Sequence, residues 1–429
     1  MTRPRDAQLT DRLTADLDRM LAVADAELES GYGGSCGVRQ PVHTAYVPAH
    51  TFGPDTVAEW GAQALAALGQ LARSPAELAA ATGLAPGVAA EVHPLVRAKL
   101  GSQPIEDLRI DFEDGYGLRG DETEDAHARA AARALASVLR DEAAPPFTGL
   151  RCKSLEKGTR HRAVRTLQVF LETLLENGLP LPPGFVITLP KVTSAAQVAA
   201  MVTVCERMEG ALGLAAPRRL VFEIQVETPQ AIIGADGAAT IATCVHAADA
   251  RLTGLHYGTY DYSAALGIAA AYQSMEHPAA DYAKAVMQVA AAGTGVRLSD
   301  GSTNILPVGN HDEVIAAWHL HSRLVRRSIE RGFYKGWDLH PAQLVTRYAA
   351  TYGFYREGLP AAADRLRRSA KRSAAGQEEP ATIRALGGFL GRALDCGALH
   401  EAELETATNL TADQLRLARR SGVVPDRGL

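Results

Sequence analysis

The sequence predicts an α/β chain folded as a (β/α)8 barrel, a TIM barrel, with an N-terminal helical arm and a C-terminal helical extension. Three observations predict it. Short β-rich runs alternate with long Ala/Leu/Arg stretches of helical spacing, the pattern of parallel βαβ units. Eight such runs fall within roughly 300 residues, a length that suits this barrel. The first run passes into PAHTFGPD (48–55), where a doubly wound open sheet would need a phosphate loop such as GxGxxG.

The elements follow in order. A helix over about 10–29, starting at Thr10, leads into the Gly-rich loop SGYGGSCG (30–37). Strands are predicted at 43–48 (HTAYVP), 107–113 (DLRIDFE), 148–153 (TGLRCK), 185–190 (FVITLP), 220–226 (LVFEIQV), 252–257 (LTGLHY), 294–299 (TGVRLS) and 333–339 (FYKGWDL). Helices are predicted between them at 54–70, 123–142, 160–177, 194–210, 229–246, 275–292 and 311–331, with Thr123 and Ser194 as N-caps. An insertion, 71–106, follows the first barrel helix. Beyond the polar linker RRSAKRSAAGQEEP (367–380), two or three short helices are expected. The first of them carries Ile383, Leu386, Phe389, Leu390 and Leu394 at roughly helical spacing, a stripe that must be covered. It is predicted to lie over a barrel mouth, its own or a neighbour's. The domains so defined are an arm (1–40), a barrel (41–358, with the insertion) and a linker with extension (359–429).

Composition narrows the class. The 429 residues are 47% hydrophobic and 22% charged, which suits a globular chain with a large core. A net charge of -5 implies no broad nucleic-acid or membrane footprint. The cysteines Cys36, Cys152, Cys205, Cys244 and Cys396 are far apart and lack zinc-ligand spacing, so free thiols are expected. The opening MTRPRDAQLTDRL is charged and no 18-residue apolar run follows, which favours a cytoplasmic protein.

Strand side chains alternate faces. Leu108, Ile110 and Phe112 share one face and Arg109, Asp111 and Glu113 the other; Glu223, Gln225 and Glu227 repeat this, and Arg151 and Lys153 share a face. Helices cover the outside of such a barrel, so the polar faces point to its axis. Charges there must pair with each other or with a cation. At the strands' C-terminal ends they would form an active-site mouth. The competing reading is an internal ion-pair network, most applicable to Arg109 and Asp111. Only seven of the 44 basic residues are Lys, and Lys153, Lys157, Lys191 and Lys335 lie at or just past predicted strand ends, which suits anion binding at one rim.

Seven segments then resemble the citrate lyase β-subunit group of the HpcH/HpaI aldolase superfamily. They are YVPA (46–49), DFED (111–114), LRCKS (150–154), LPKVTS (189–194), QVETPQAI (225–232), GTYDYSAALG (258–267) and GFYKGWDLHPAQL (332–344), in the family's order. The resemblance spans about 43–345. It implies a (β/α)8 barrel and a metal-dependent carbon–carbon lyase of aldolase or Claisen type. Such an enzyme cleaves or forms a bond next to a carbonyl through a Mg²⁺-stabilised enolate. Carried over, Glu227 and Asp261 would ligate Mg²⁺ or Mn²⁺. Arg151 would hold the substrate carboxylate or oxo group, and Glu113 and Asp114 would order metal waters or serve in acid/base steps. Lys191 and His340 would support the site. Thr51 stands where the family often has Arg, and His50 before it is a candidate for anion binding or proton transfer. With Lys153 in place of the family's Asn, this makes a free 2-oxo or hydroxy acid at least as suitable a substrate as a CoA thioester. A homo-oligomer is expected. Two alternatives stay open: a Schiff-base aldolase using Lys153 or Lys191, and a non-catalytic barrel that binds a small acid.

Overall fold

The structure, a computed structural model, describes residues 5–33, 39–176, 180–214, 219–371 and 379–424, without the side chains of 5–8, 370 and 371. Cys36, part of the Gly-rich loop and most of the linker lie outside the described residues. Eight parallel strands form the barrel: β1 (His43–Pro48), β2 (Asp107–Asp111), β3 (Phe147–Arg151), β4 (Phe185–Leu189), β5 (Val221–Val226), β6 (Leu252–Tyr257), β7 (Arg297–Ser299) and β8 (Gly336–Asp338). They are ordered β7-β6-β5-β4-β3-β2-β1-β8. Between the two end strands the ring is stitched just beyond β7, where the Asp300 N–H donates to the Lys335 carbonyl and the Trp337 N–H to the Gly301 carbonyl.

The helices match the periodicity with specific exceptions. The arm is α1 (Arg5–Tyr32). Around the barrel come α2 (Thr56–Leu71), α3 (Pro75–Thr82), α4 (Pro86–Ser102), α5 (Asp121–Val138), α6 (Arg160–Glu176), α7 (Ala195–Leu212), α8 (Pro229–Ile232), α9 (Thr240–His246), α10 (Thr259–Ala265), α11 (Pro278–Ala291), α12 (His311–Glu330) and α13 (Gln343–Lys371). The tail adds α14 (Pro380–Cys396), α15 (Glu401–Thr408) and α16 (Ala412–Ser421). The predicted helix over 229–246 is broken at GADG (234–237), where Gly237 takes a φ of 79°. Ser194 stands at the predicted N-cap position of α7, but its side chain makes no cap hydrogen bond. Thr123 does not cap α5, which begins two residues earlier behind Gly120. The insertion is the pair α3 and α4, started by a Ser74–Glu77 capping box and packed against α12 and α13.

Inward and outward faces fall as the alternation requires. Leu108, Ile110 and Phe112 are buried among the helices. The barrel axis holds charge in two layers. In the lower layer Arg109 is fully buried; it donates to Asp107 at 2.8 Å and to the Val186 carbonyl at 2.9 Å, and pairs with Glu223 at 3.1 Å. Lys335 joins Asp107 at 2.8 Å, and His256 joins Glu223 at 2.9 Å. Arg109 therefore belongs to an internal network, with Asp107 and Glu223 rather than Asp111 as partners. Gly149 on β3 makes this possible: a Cβ there would meet Arg109 Nη1 at 2.3 Å and the Val186 carbonyl at 1.8 Å. Lys335 stands before β8, at the barrel floor, so the four lysines do not form one rim.

The tail does not lie over the mouth of its own barrel. α14 packs on the lower part of α13, where Phe389 meets Phe354 and Tyr355 and the Cys396 carbonyl accepts from Tyr352. Arg392 and Arg419 line a groove with Leu252, Gly295 and Tyr334, at the N-terminal ends of β6 to β8. The stripe is covered, but at the end of the barrel opposite the C-terminal mouth.

Candidate active site

The upper layer starts at the stretch RIDFEDGYG (109–117). Asp111 ends β2, and its carboxylate accepts from the Glu113 N–H at 2.9 Å and the Gly115 N–H at 2.8 Å. It also accepts from Arg151 twice, Nε and Nη2 each at 2.7 Å. The turn therefore fixes Asp111, and Asp111 fixes Arg151 by a planar fork. The Arg151 guanidinium lies 4.8 Å over the Tyr46 ring. Its remaining nitrogen, Nη1, donates to Gln225 at 3.1 Å and faces Glu113 at 3.3 Å and Asp114 at 3.6 Å.

Glu227 follows β5 and is buried. It accepts from the Lys191 backbone N–H at 2.7 Å and from the Gln225 amide. Its neighbour on the next strand end is Gly258, where a Cβ would lie 2.5 Å from that of Glu227, so only glycine lets β6 end there. Three residues on, Asp261 stands in the first turn of α10, its side chain 47% exposed. Lys191 leaves β4 with a φ of 52°, a left-handed conformation costly for a residue with a Cβ. That turn carries its ammonium into the carboxylates: Asp261 at 2.6 Å, Glu113 at 3.3 Å, Asp114 at 3.5 Å and Glu227 at 3.9 Å.

Oxygens of Asp114, Glu227 and Asp261 lie within 4.8 Å of one another. Opposed ligands of Mg²⁺ at about 2.1 Å stand about 4.2 Å apart, so one ion fits this donor set after small side-chain shifts. The electrostatics also fit. Asp111, Glu113, Asp114, Glu227 and Asp261 bring five carboxylates against the two cations Arg151 and Lys191. Burial raises the Glu227 carboxyl well above its ordinary range, with Lys191 opposing and Glu113 and Asp261 adding to the rise. Burial likewise pushes Glu113 up to about 7. Lys191 is held above the ordinary lysine range; burial opposes this, but the surrounding carboxylates outweigh it.

Of the sequence-predicted residues, Arg151, Glu113, Asp114, Lys191, Glu227 and Asp261 meet here. His50 packs on Tyr116 at 5.6 Å, next to His127. His340 accepts from the Ala342 N–H in the turn that precedes α13. Lys153 is buried in a 2.8 Å pair with Glu124 and also donates to the Phe112 carbonyl. Two site residues were missed. Gln225 bridges Arg151 and Glu227, and its place between two inward glutamates on β5 was the available signal. Tyr46 is inward on β1 and supports Arg151 from below, which its alternation with Ala45 and Val47 could have shown.

Fold and site together define a (β/α)8 barrel whose C-terminal mouth concentrates carboxylates around a cation. The chain belongs to the family described as a domain of unknown function, DUF6986, whose model matches residues 21–422. No curated protein matches it. A citrate lyase from Burkholderia xenovorans LB400 is 20% identical, with a TM-score of 0.52 over 86% of this chain and 96% of that one. A Haloferax volcanii malate synthase, solved as a magnesium/glyoxylate complex, is 16% identical with a TM-score of 0.47 over 72% of this chain and 75% of that one. An HpcH/HpaI aldolase/citrate lyase family protein from Burkholderia cenocepacia J2315 is 15% identical with a TM-score of 0.38 over 74% and 94%. These neighbours are lyases or synthases by name, and at such identity the likeness is one of fold. No described helix is long and apolar enough to cross a membrane.

Proposed function

We propose that this chain is a metal-dependent carbon–carbon lyase, of aldolase or Claisen type, acting on a small 2-oxo or hydroxy acid or its CoA thioester. The observation that carries the reading is the convergence of Asp114, Glu227 and Asp261 at one point of the mouth. These three would hold Mg²⁺ or Mn²⁺. A bound divalent ion supplies a Lewis acid that draws electron density from a carbonyl oxygen as the adjacent carbon–carbon bond breaks or forms.

The chain's own groups do the rest. Arg151 Nη1, the guanidinium nitrogen not taken by Asp111, would orient a substrate anion in place of the Glu113 and Asp114 carboxylates that face it. Lys191 balances the carboxylates and offers its ammonium to a second anionic group. Glu113, nearly buried between Arg151 and Lys191, would move a proton at the carbon next to the carbonyl. The Schiff-base alternative has less support: Lys153 is tied to Glu124, and the Lys191 ammonium pairs with Asp261, Glu113 and Asp114. The test is turnover of a panel of 2-hydroxy acids, 2-oxo acids and their thioesters, followed by carbonyl release. Cleavage that EDTA abolishes and Mg²⁺ restores is expected. Cleavage indifferent to EDTA, or a borohydride-trapped lysine adduct, contradicts the reading; binding without turnover makes the chain a small-acid-binding barrel.

A further inference from the structure

We infer that α1 is an exchanged arm that docks in the groove between α6 and α7 of a second copy of this chain. One face of α1 carries the large apolar residues Leu9, Leu13, Leu17, Met20, Leu21 and Leu28, with Ala24 completing the three- and four-residue steps between the last two. Their exposure runs from 49% at Leu21 to 77% at Met20. The helix touches the barrel at its C-terminal end, where Tyr32 meets His246 edge-on and lies beside Gly293. A continuous apolar stripe of this kind on a globular chain marks a surface that another surface covers.

The chain itself carries a fitting surface. The α6/α7 groove has a volume of about 740 Å³ and an apolar floor from Leu155, Val164, Ala200 and Val204. Arg160, His161 and Arg165 stand along it. Length and charge both match at the centre of the stripe. The groove is lined by residues 160–168 of α6 and 196–204 of α7, about 12 Å of helix, which takes the stretch Leu13–Leu21 of α1. Beyond Arg19 every charged residue of α1 is acidic: Asp25, Glu27 and Glu29. Seven acids against three arginines give α1 a net charge of -4, so pairing two copies of α1 sets like charge against like, whereas the groove edge carries Arg160 and His161, with Arg165 paired to Asp125. Reciprocal exchange of arms closes a dimer.

Solution mass by light scattering tests this on three full-length proteins: wild type, an arm variant (Leu13→Glu with Leu17→Glu) and a groove variant (Val164→Glu with Ala200→Glu). Wild type is expected to be a dimer or larger, and each variant a 45.5 kDa monomer with unchanged far-UV dichroism. Mixing the two variants is decisive, because each retains the surface the other lacks. They should associate one to one, while either alone stays monomeric. A monomeric wild type overturns the inference, as does a groove variant that keeps the wild-type mass. Failure of the mixed variants to associate overturns it as well; a groove variant that keeps the wild-type mass while the arm variant is monomeric means that arm pairs with arm.

Discussion

Arg151 and Asp111 decide what the mouth can do. Their fork is buried at both ends, so each charge depends on the other. Asp114 also faces Arg151, but its side chain is 53% exposed. Removing one partner of a buried pair costs about 3–5 kcal/mol, whereas an exposed carboxylate contributes at most about 1 kcal/mol. Asp111→Ala is therefore expected to lower the urea midpoint far more than Asp114→Ala, and equal midpoints would show that the pair is not buried as described. Arg151→Lys keeps the charge but loses the fork. It is expected to cut kcat/KM by a factor of about 100 or more, with a stability loss of on the order of 2 kcal/mol, since one hydrogen bond to Asp111 replaces two. The roles of these residues were only partly legible in the sequence. Alternation placed Arg109, Asp111, Arg151 and Glu227 on inward faces. It did not say that Asp111 would take two of the three guanidinium nitrogens, because that depends on the turn at Glu113 and Gly115. Nor did it show that Lys191 would reach the centre, which depends on one left-handed residue after Pro190.

At the scale of elements, the strands were the most legible, because each has a β-rich outward face and a polar or small inward one. The helix over 229–246 was not, since the apolar spacing continues through the glycines that interrupt it. The tail shows a different limit. Its stripe announced that something covers it, but periodicity carries no address. α13 runs on past the barrel floor and offers Phe354, Tyr355 and Leu366 there, so the tail packs at the opposite end from the site. Phe389→Ala is expected to lower unfolding free energy by on the order of 2 kcal/mol, somewhat below a fully buried Phe→Ala change, and to leave kcat unchanged. A large loss of kcat with unchanged stability would instead restore the tail as a lid.

For the whole molecule, the barrel interior ties stability to pH. His43, beside Asp338 and Glu106 with Arg347 and Lys99 nearby, is pushed down to about 4, chiefly by burial. His256, facing Glu223, Lys335 and Arg109, is also lowered to about 4, again chiefly by burial. Both are neutral in the folded chain near pH 6.5, where an unfolded histidine begins to take up a proton. Their contribution is complete above about pH 6.5 and is lost as pH falls toward about 4, on the order of 2 kcal/mol each at pH 5. Glu113 and Glu227, whose carboxyls burial raises, act the other way as pH falls. Urea unfolding at pH 7.5 and pH 5 is therefore compared between wild type and His43→Gln with His256→Gln: wild type should lose more stability than the double variant. Equal changes in the two proteins would mean that neither histidine is buried neutral.

In the proposed function Asp114, Glu227 and Asp261 hold one divalent cation at the mouth, in competition with the Lys191 ammonium for the same oxygens. Mn²⁺ titration followed by electron paramagnetic resonance, on wild type, Glu227→Gln with Asp261→Asn, and Lys191→Met, measures this without needing a substrate. One bound Mn²⁺ per chain is predicted for wild type, loss of binding by a factor of about 100 or more in the double variant, and tighter binding once Lys191 no longer occupies the cluster. Wild type that binds no Mn²⁺, or a double variant that binds it as tightly as wild type, would contradict the account.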